Sequence, residues 1–330
     1  MAVSLADITK LRKLTGAGMM DCKKALEETN GDIDAAVEVV RAKGQAIAAK
    51  RSDRDASEGC VLCKSENGFG AMIALKCETD FVANNADFVK LTKEILDVAF
   101  AAKAKNLEEV KALPFGDKTV AEAVTERSGI TGEKMELDGY NTIEGKSISC
   151  YNHQNKNILC TMVALNEAGQ EEAGHMVAMQ IAAMNPVAID ESSVPQEIKD
   201  NEYKVAIEKT KEEQVQKAVE AALKKAGFNL YIAENEEHIA EGIAKGNITE
   251  AQAEEIRKIK KETAEQKMAN LPEQMVQNIA NGRMNKFYKE SCLLNQEYCM
   301  DATKTVSQIL KEASPSLTVT AFKRFSLRAD

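Results

Sequence analysis

The spacing of apolar residues changes several times along the chain, and each change marks a boundary. From Leu5 to Leu14 apolar residues recur at helical spacing (Leu5, Ile8, Leu11, with Arg12 and Leu14 completing the run), and Gly16-Ala17-Gly18 breaks it. Met19 to Glu28 form a second helical run with Met19, Cys22 and Leu26 on one face. Asn30-Gly31 stops that run, and Asp32 can cap a third helix carrying Ile33, Ala36, Val37 and Val40. Residues 1–44 therefore read as a three-helix bundle, marginal alone, whose plain use is docking. Residues 45–58, QAIAAKRSDRDASE, are charged and poor in large apolar groups, and read as a linker or exposed helix.

The period then shortens to two. GCVLCKS and AMIALKC flank Glu66-Asn67-Gly68-Phe69-Gly70, a hairpin signal. A helical stretch follows, TDFVANNADFVKLTKEILDVAFAA, with Phe88, Leu91, Ile95, Leu96 and Val98 as its buried stripe. Residues 133–184 repeat this plan: EKMELDGYNTIEGKSISCYN supplies strands, Asn155-Lys156-Asn157 turns the chain, ILCTMVALN is another strand and EEAGHMVAMQIAAMN a helix. Two strand–helix halves predict an α+β protein with a duplicated core of antiparallel sheets, residues 59–132 forming one half and residues 133–192 with 271–300 the other.

Between these pieces, residues 193–270 are of another character. Pro195 suits a first helical turn, charges alternate in sign from Glu197 to Lys225, and Gly227 ends the run. Thr249 with Gln252 has the form of a capping box opening a second long helix to Asn270. The pattern predicts an inserted helical hairpin or coiled coil, with Phe228–Asn247 at its tip and a short helix near Glu236–Ala244. Residues 271–300 resume with a helix, PEQMVQNIANGRMNKFYKE, and residues 301–330 hold a C-terminal helix, TKTVSQILKEA, and a closing strand, LTVTAFKRFSL.

Composition narrows the function. A chain of 330 residues is too long for one core, so two or three domains are expected. A formal net charge of -9 argues against a nucleic-acid footprint, which is cationic. Aromatics are scarce and Trp is absent, which disfavours aromatic ligand cages. There is no apolar run long enough for a membrane span and no basic–apolar–small leader pattern, so a cytoplasmic protein is expected.

The search for covalent chemistry finds little. Cysteines stand at 22, 60, 63, 77, 150, 160, 292 and 299 and are expected to be reduced. Cys60 and Cys63 fall three apart in a strand, pointing to opposite faces, with no second pair to complete a zinc site. His153, His175 and His238 lack metal-ligand spacing. His153 in a turn reads as solvated, His175 as a partly buried structural or contact residue. Gly145-Lys146-Ser147 resembles the end of a phosphate loop, but Tyr140 stands where the first glycine belongs, Gly139 is one place early, and the context reads as a hairpin turn. No metal or cofactor is expected.

One segment carries two readings. Cys77-Glu78-Thr79-Asp80-Phe81-Val82-Ala83-Asn84 lies where a strand gives way to a helix. Either Thr79 or Asp80 caps the helix while Phe81 packs into the core, or the carboxylate and ring are exposed together and offered to a partner as a wedge.

Two stretches resemble the signatures of the elongation factor Ts family. Residues 11–26, LRKLTGAGMMDCKKAL, are similar to its N-terminal signature, and Thr79-Asp80-Phe81-Val82-Ala83 to its second, in the right order and separation. HMVAMQIAAMNP, NGRMNKFYKE and KTVSQILKE…VTAFKRF resemble later segments of that family. Roughly residues 213–267 fall outside the resemblance, where the family's hairpin is lengthened, and Lys76 stands where Asn or a similar small residue is often found.

The resemblance implies a UBA-like N-terminal bundle and a guanine-nucleotide exchange factor of translation elongation, which binds the GTPase elongation factor Tu and releases GDP without enzymatic chemistry of its own. It implies docking of Leu11, Arg12, Gly18, Met19 and Met20 on the GTPase domain, with bundle core as the alternative for one of the two methionines. It implies insertion of Thr79, Asp80, Phe81 and Val82 near the partner's Mg²⁺. It also implies a grip by the helix of His175, Met176 and Met179, and a clasp by a C-terminal helix around Thr303–Lys311. A dimer of the free protein stays open. A non-catalytic adaptor or chaperone-like protein, and an enzyme with a reactive cysteine, are the competing readings.

Overall fold

In the computed structural model, which describes residues 3–328, the chain divides into two compact units, residues 3–189 with 297–328 and Asp190–Gln296. The first opens with α1 (Leu5–Thr15), α2 (Met19–Glu28) and α3 (Ile33–Ala49). Ser4 and Asp32 cap α1 and α3 by accepting from Asp7 N and Ala35 N, and Gly16 ends α1 in the left-handed region. Ile8, Leu11, Cys22, Ala25, Leu26, Ala36 and Val40 form the bundle's core. α3 continues to Ala49, through residues that the sequence pattern left as linker or exposed helix.

β1 (Glu58–Glu66) and β2 (Phe69–Cys77) form an antiparallel hairpin. Its turn residues, Asn67 and Gly68, both have positive φ, the geometry that two-residue hairpin turns select. Then come α4 (Asp80–Ala83), α5 (Ala86–Ala102) and α6 (Leu107–Ala112), the short ribbon β3 (Pro114–Phe115) with β4 (Lys118–Thr119), and α7 (Val120–Thr131). The hydrophobic pattern assigned no element to residues 105–132. The reason lies in α7, whose buried face is made of Val120, Ala123, Val124 and Ser128, small side chains that leave a weak stripe. β5 (Met135–Glu144) pairs with β2, completing a sheet of order β1-β2-β5.

β6 (Ser147–Asn152) and β7 (Leu159–Leu165) begin the second sheet, backed by α8 (Glu171–Met184). Gly145-Lys146 therefore carries the chain from one sheet to the other and is not the hairpin turn expected. β5 pairs with β2 and β6 with β7, and the Gly145 amide donates to Gly68 O at 3.1 Å.

The second unit holds α9 (Gln196–Lys225), α10 (Leu230–Ala233), α11 (Glu236–Ala244), α12 (Glu250–Ala269) and α13 (Glu273–Ser291). The Thr249–Gln252 capping box is formed in both directions. Val219, Leu223, Ala233, Ile239, Ala253 and Ile256 give the hairpin tip its own core. α13 packs on α9 within this unit, whereas the sequence pattern grouped residues 271–300 with the second core half.

Back in the first unit, β8 (Glu297–Tyr298) and β9 (Asp301–Thr305) form a short ribbon, followed by α14 (Val306–Ala313) and β10 (Val319–Ser326). β10 pairs with β7, giving the order β10-β7-β6. The C-terminal helix begins at Val306, not near Thr303, because Thr305 caps it in a box with Gln308.

The two sheets face each other through Val61, Met72, Ala74 and Ile143 on one side and Cys160, Met162 and Ala164 on the other. The alternate residues of β2, namely Ala71, Ile73, Leu75 and Cys77, point the opposite way and pack with Phe88, Ile95 and Ala99 of α5. β2 is thus buried on both faces, which explains its nearly continuous apolar run. The molecule is α+β, with an N-terminal helical bundle and small antiparallel sheets.

Candidate functional site

The strand-to-helix junction after β2 is built around Thr79. Its side chain caps α4, accepting from Val82 N at 3.4 Å, while its hydroxyl donates to Glu133 Oε1 at 2.6 Å and its amide to Glu133 Oε2 at 3.1 Å. Ala83 is buried and Val82 packs against the core beneath. Asp80 and Phe81 are left outside, and the Phe81 side chain is 85% exposed. The capping half of the first reading therefore holds for Thr79, but its core half fails for Phe81. Ala83 and Val82 take the inward side of the turn, which leaves Phe81 on the outward side.

Glu78, one residue earlier, joins three segments. Its carboxylate accepts from Arg51 Nη1 at 3.1 and 3.3 Å, from Arg54 Nη1 at 3.0 Å and from Lys134 N at 2.6 Å. These donors hold its pKa below the usual carboxylate range, the Lys134 amide most strongly. The sequence pattern singled out neither Glu78 nor Glu133. Lys76, at the end of β2, pairs with Asp138 of β5 at 2.7 Å.

In the bundle, Arg12, Gly18, Met19 and Met20 are exposed, the methionines 49% and 64% so. Neither methionine is core, because the α2 face that turns inward is the one bearing Cys22, Ala25 and Leu26. Leu11 is a correction: it is wholly buried at the centre of the bundle, so it is a core residue and not the exposed contact that the resemblance implied. Leu5 and Leu14 are exposed apolar residues not named as contacts. An ion pair between Lys43 and Asp21 ties α3 to α2 beside this surface.

On α8, His175 is exposed and meets Tyr151 edge-on, with ring centroids 5.5 Å apart; it is not the partly buried residue expected. Met176 and Met179 are half-buried. The named residues thus lie on three elements: the α1–α2 region, the α4 turn and α8.

Cys60, Cys77, Cys292 and Cys299 offer poor nucleophiles. Cys60 packs under α5, and Cys63 lies on the other face of β1 against the second sheet. Burial pushes the Cys60 and Cys77 thiols up to about 12, and Cys292 and Cys299 are raised as well, whereas a reactive thiolate needs a depressed pKa. Among the described residues no helix is long and apolar enough to cross a membrane.

The junction and the bundle present apolar side chains on polar, hydrogen-bonded supports, an arrangement suited to binding a protein. Comparison with known proteins gives the family. The family model described as Elongation factor TS matches residues 78–254 and 237–329. The chain is 63% identical over 330 residues to Elongation factor Ts of Bacteroides fragilis and 63% to that of Phocaeicola vulgatus, with all of both chains covered in each case. It is 44% identical over 331 residues to Elongation factor Ts of Porphyromonas gingivalis, again with both chains fully covered. The family model covers the junction, the hairpin and the closing strand, the relatives cover the bundle as well, and the chain belongs to the elongation factor Ts family of translation elongation factors.

Proposed function

We propose that the protein is a guanine-nucleotide exchange factor for elongation factor Tu, acting in the cytoplasm by binding alone. The observation that carries this is the Phe81 ring, held in solvent on a capped turn next to an exposed Asp80. A GTPase holds GDP through backbone amides of its phosphate loop and through Mg²⁺. A ring and carboxylate pushed between its helices near that ion displace the switch region and weaken both contacts. Met19 and Met20 on the bundle, with Arg12 and Gly18 beside them, dock on the GTPase domain, where flexible thioethers suit an adaptable surface. His175, Met176 and Met179 of α8 hold another part of the partner, and α14 closes back on the GTPase domain.

The energetics fit a binding mechanism. Burying an exposed Phe side chain yields about 1.5–3 kcal/mol, and each 1.4 kcal/mol of differential binding is a tenfold change in affinity. To the extent that this burial is made only in the nucleotide-free complex, one ring supplies up to roughly tenfold to hundredfold weakening of nucleotide. The coupling is reciprocal: nucleotide weakens the factor as much as the factor weakens nucleotide, so GTP rebinding expels it. No acid, base or cofactor enters this scheme.

The test is stopped-flow release of a fluorescent GDP analogue from elongation factor Tu of the same organism, with catalytic amounts of this protein. Native protein is expected to accelerate release, and the Asp80→Ala/Phe81→Ala double variant to lose most of that acceleration while keeping its fold. Binding without acceleration by native protein would replace this proposal with the adaptor reading.

A further inference from the structure

A single turn of helix does not hold itself, since its nucleation is unfavourable and α4 has four residues. Something else must keep Phe81 in one outward pose. The junction supplies two carboxylates for this. Glu133, in the turn between α7 and β5, takes both the amide and the hydroxyl of Thr79, the residue that caps α4. Glu133 is itself fixed: Ser128 Oγ donates to its carbonyl at 2.5 Å, and its amide donates to Thr131 Oγ1 at 3.3 Å. Glu78 receives Arg51 and Arg54, which follow directly on α3, together with the Lys134 amide. Its side chain is only 14% exposed, so these charge-assisted bonds are shielded more than a surface pair would be. Both carboxylates stand below the turn and neither is part of the exposed ring and acid above it.

We infer that Glu133 and Glu78 are positioning residues for exchange: Glu133 sets the Asp80–Ala83 turn through Thr79, and Glu78 ties that turn to the end of α3. This rests on the exchange reading above. Order imposed before binding does not have to be imposed during it, so the ring enters the partner with less entropy lost.

The test combines substitutions at Glu133, Thr79 and Phe81 with the GDP-release assay. Glu133→Gln keeps one acceptor and loses the other. It is expected to slow catalysed release roughly tenfold, the scale of one charge-assisted hydrogen bond, with its melting temperature followed in parallel. In the Phe81→Ala background the same substitution is expected to change the rate by less than about twofold, because a residue that acts through the ring has nothing left to position. Thr79→Val, which removes the hydroxyl that Glu133 accepts from, is expected to behave like Glu133→Gln. Equal slowing by Glu133→Gln in both backgrounds, or none in either, would overturn the positioning role while leaving the exchange reading intact. Failure of the native protein itself to accelerate release would overturn both.

Discussion

Gly129 and Gly44 meet where α7 crosses α3. A Cβ built on Gly129 would lie 2.2 Å from Gly44 Cα, against backbone that has no rotamer to yield. A Cβ on Gly44 would meet Gly129 Cα at 3.5 Å, an ordinary contact. The two substitutions should therefore differ. Gly129→Ala is expected to destabilise by about 1–3 kcal/mol, as overpacking does. Gly44→Ala is expected to be neutral or to gain up to about 1 kcal/mol from helix propensity. Urea unfolding of the two variants checks this, and equal losses would show that the crossing relaxes in either direction. Neither glycine could be read as a contact from the sequence, because their proximity depends on how α3 and α7 cross and not on either helix's own pattern. Phe81 is the opposite case. Its neighbours show that it stands at a junction, but whether it faces in or out depends on which residue of α4 fills the core, and only the structure gives that place to Ala83.

Elements with a strong period of their own were legible: the three bundle helices, the β1–β2 hairpin, α5, α8, the long hairpin helices and the closing strand. α7 was not, because its packing face is small and partly polar. The β5–β6 connection was misread because adjacency in sequence suggests pairing, while here the two strands enter different sheets. The support of α4 was illegible for a related reason, since Glu133 reaches Thr79 from 54 residues away. That support has a consequence with pH. The folded pKa of Glu78 is lowered, first by the Lys134 amide and then by Arg54 and Arg51, so the unfolded chain takes up its proton first as the solution is acidified. Its stabilisation is complete above the unfolded value of about 4.3 and is lost as pH falls through the lower folded value. The difference in melting temperature between native protein and Glu78→Gln is therefore expected to be constant near neutrality and to shrink below about pH 4. A difference that stays constant down to about pH 3 would mean that the carboxylate's charge contributes nothing there.

At the scale of the whole molecule, the division into two units separates two kinds of stability. The proposed exchange residues all lie in the first unit, on the bundle, α4, α8 and α14. The second unit has its own apolar centre, in which Ile239 of α11 and Ile256 of α12 are completely buried. This explains how a hairpin can be long without being a bare coiled coil: α9 and α12 pack on each other, and α10 and α11 at the tip add to the interior they share. Truncating a buried Ile to Ala costs about 2–5 kcal/mol, through lost transfer energy and the cavity left behind. That cost should stay with the core that contains it. Ile256→Ala is expected to reduce amide hydrogen-exchange protection across the helices around the hairpin tip, α9 to α12. It should leave protection in β2 and α5 unchanged, because their apolar contacts belong to a different cluster. Catalysed GDP release is expected to change by less than about twofold, since none of the proposed exchange residues belongs to the core that Ile256 fills. If release slowed with the loss of protection, the hairpin would have to be counted among the parts that grip the partner. If protection fell in β2 and α5 as well, the two units would unfold as one, and the separation of their cores would have no energetic meaning.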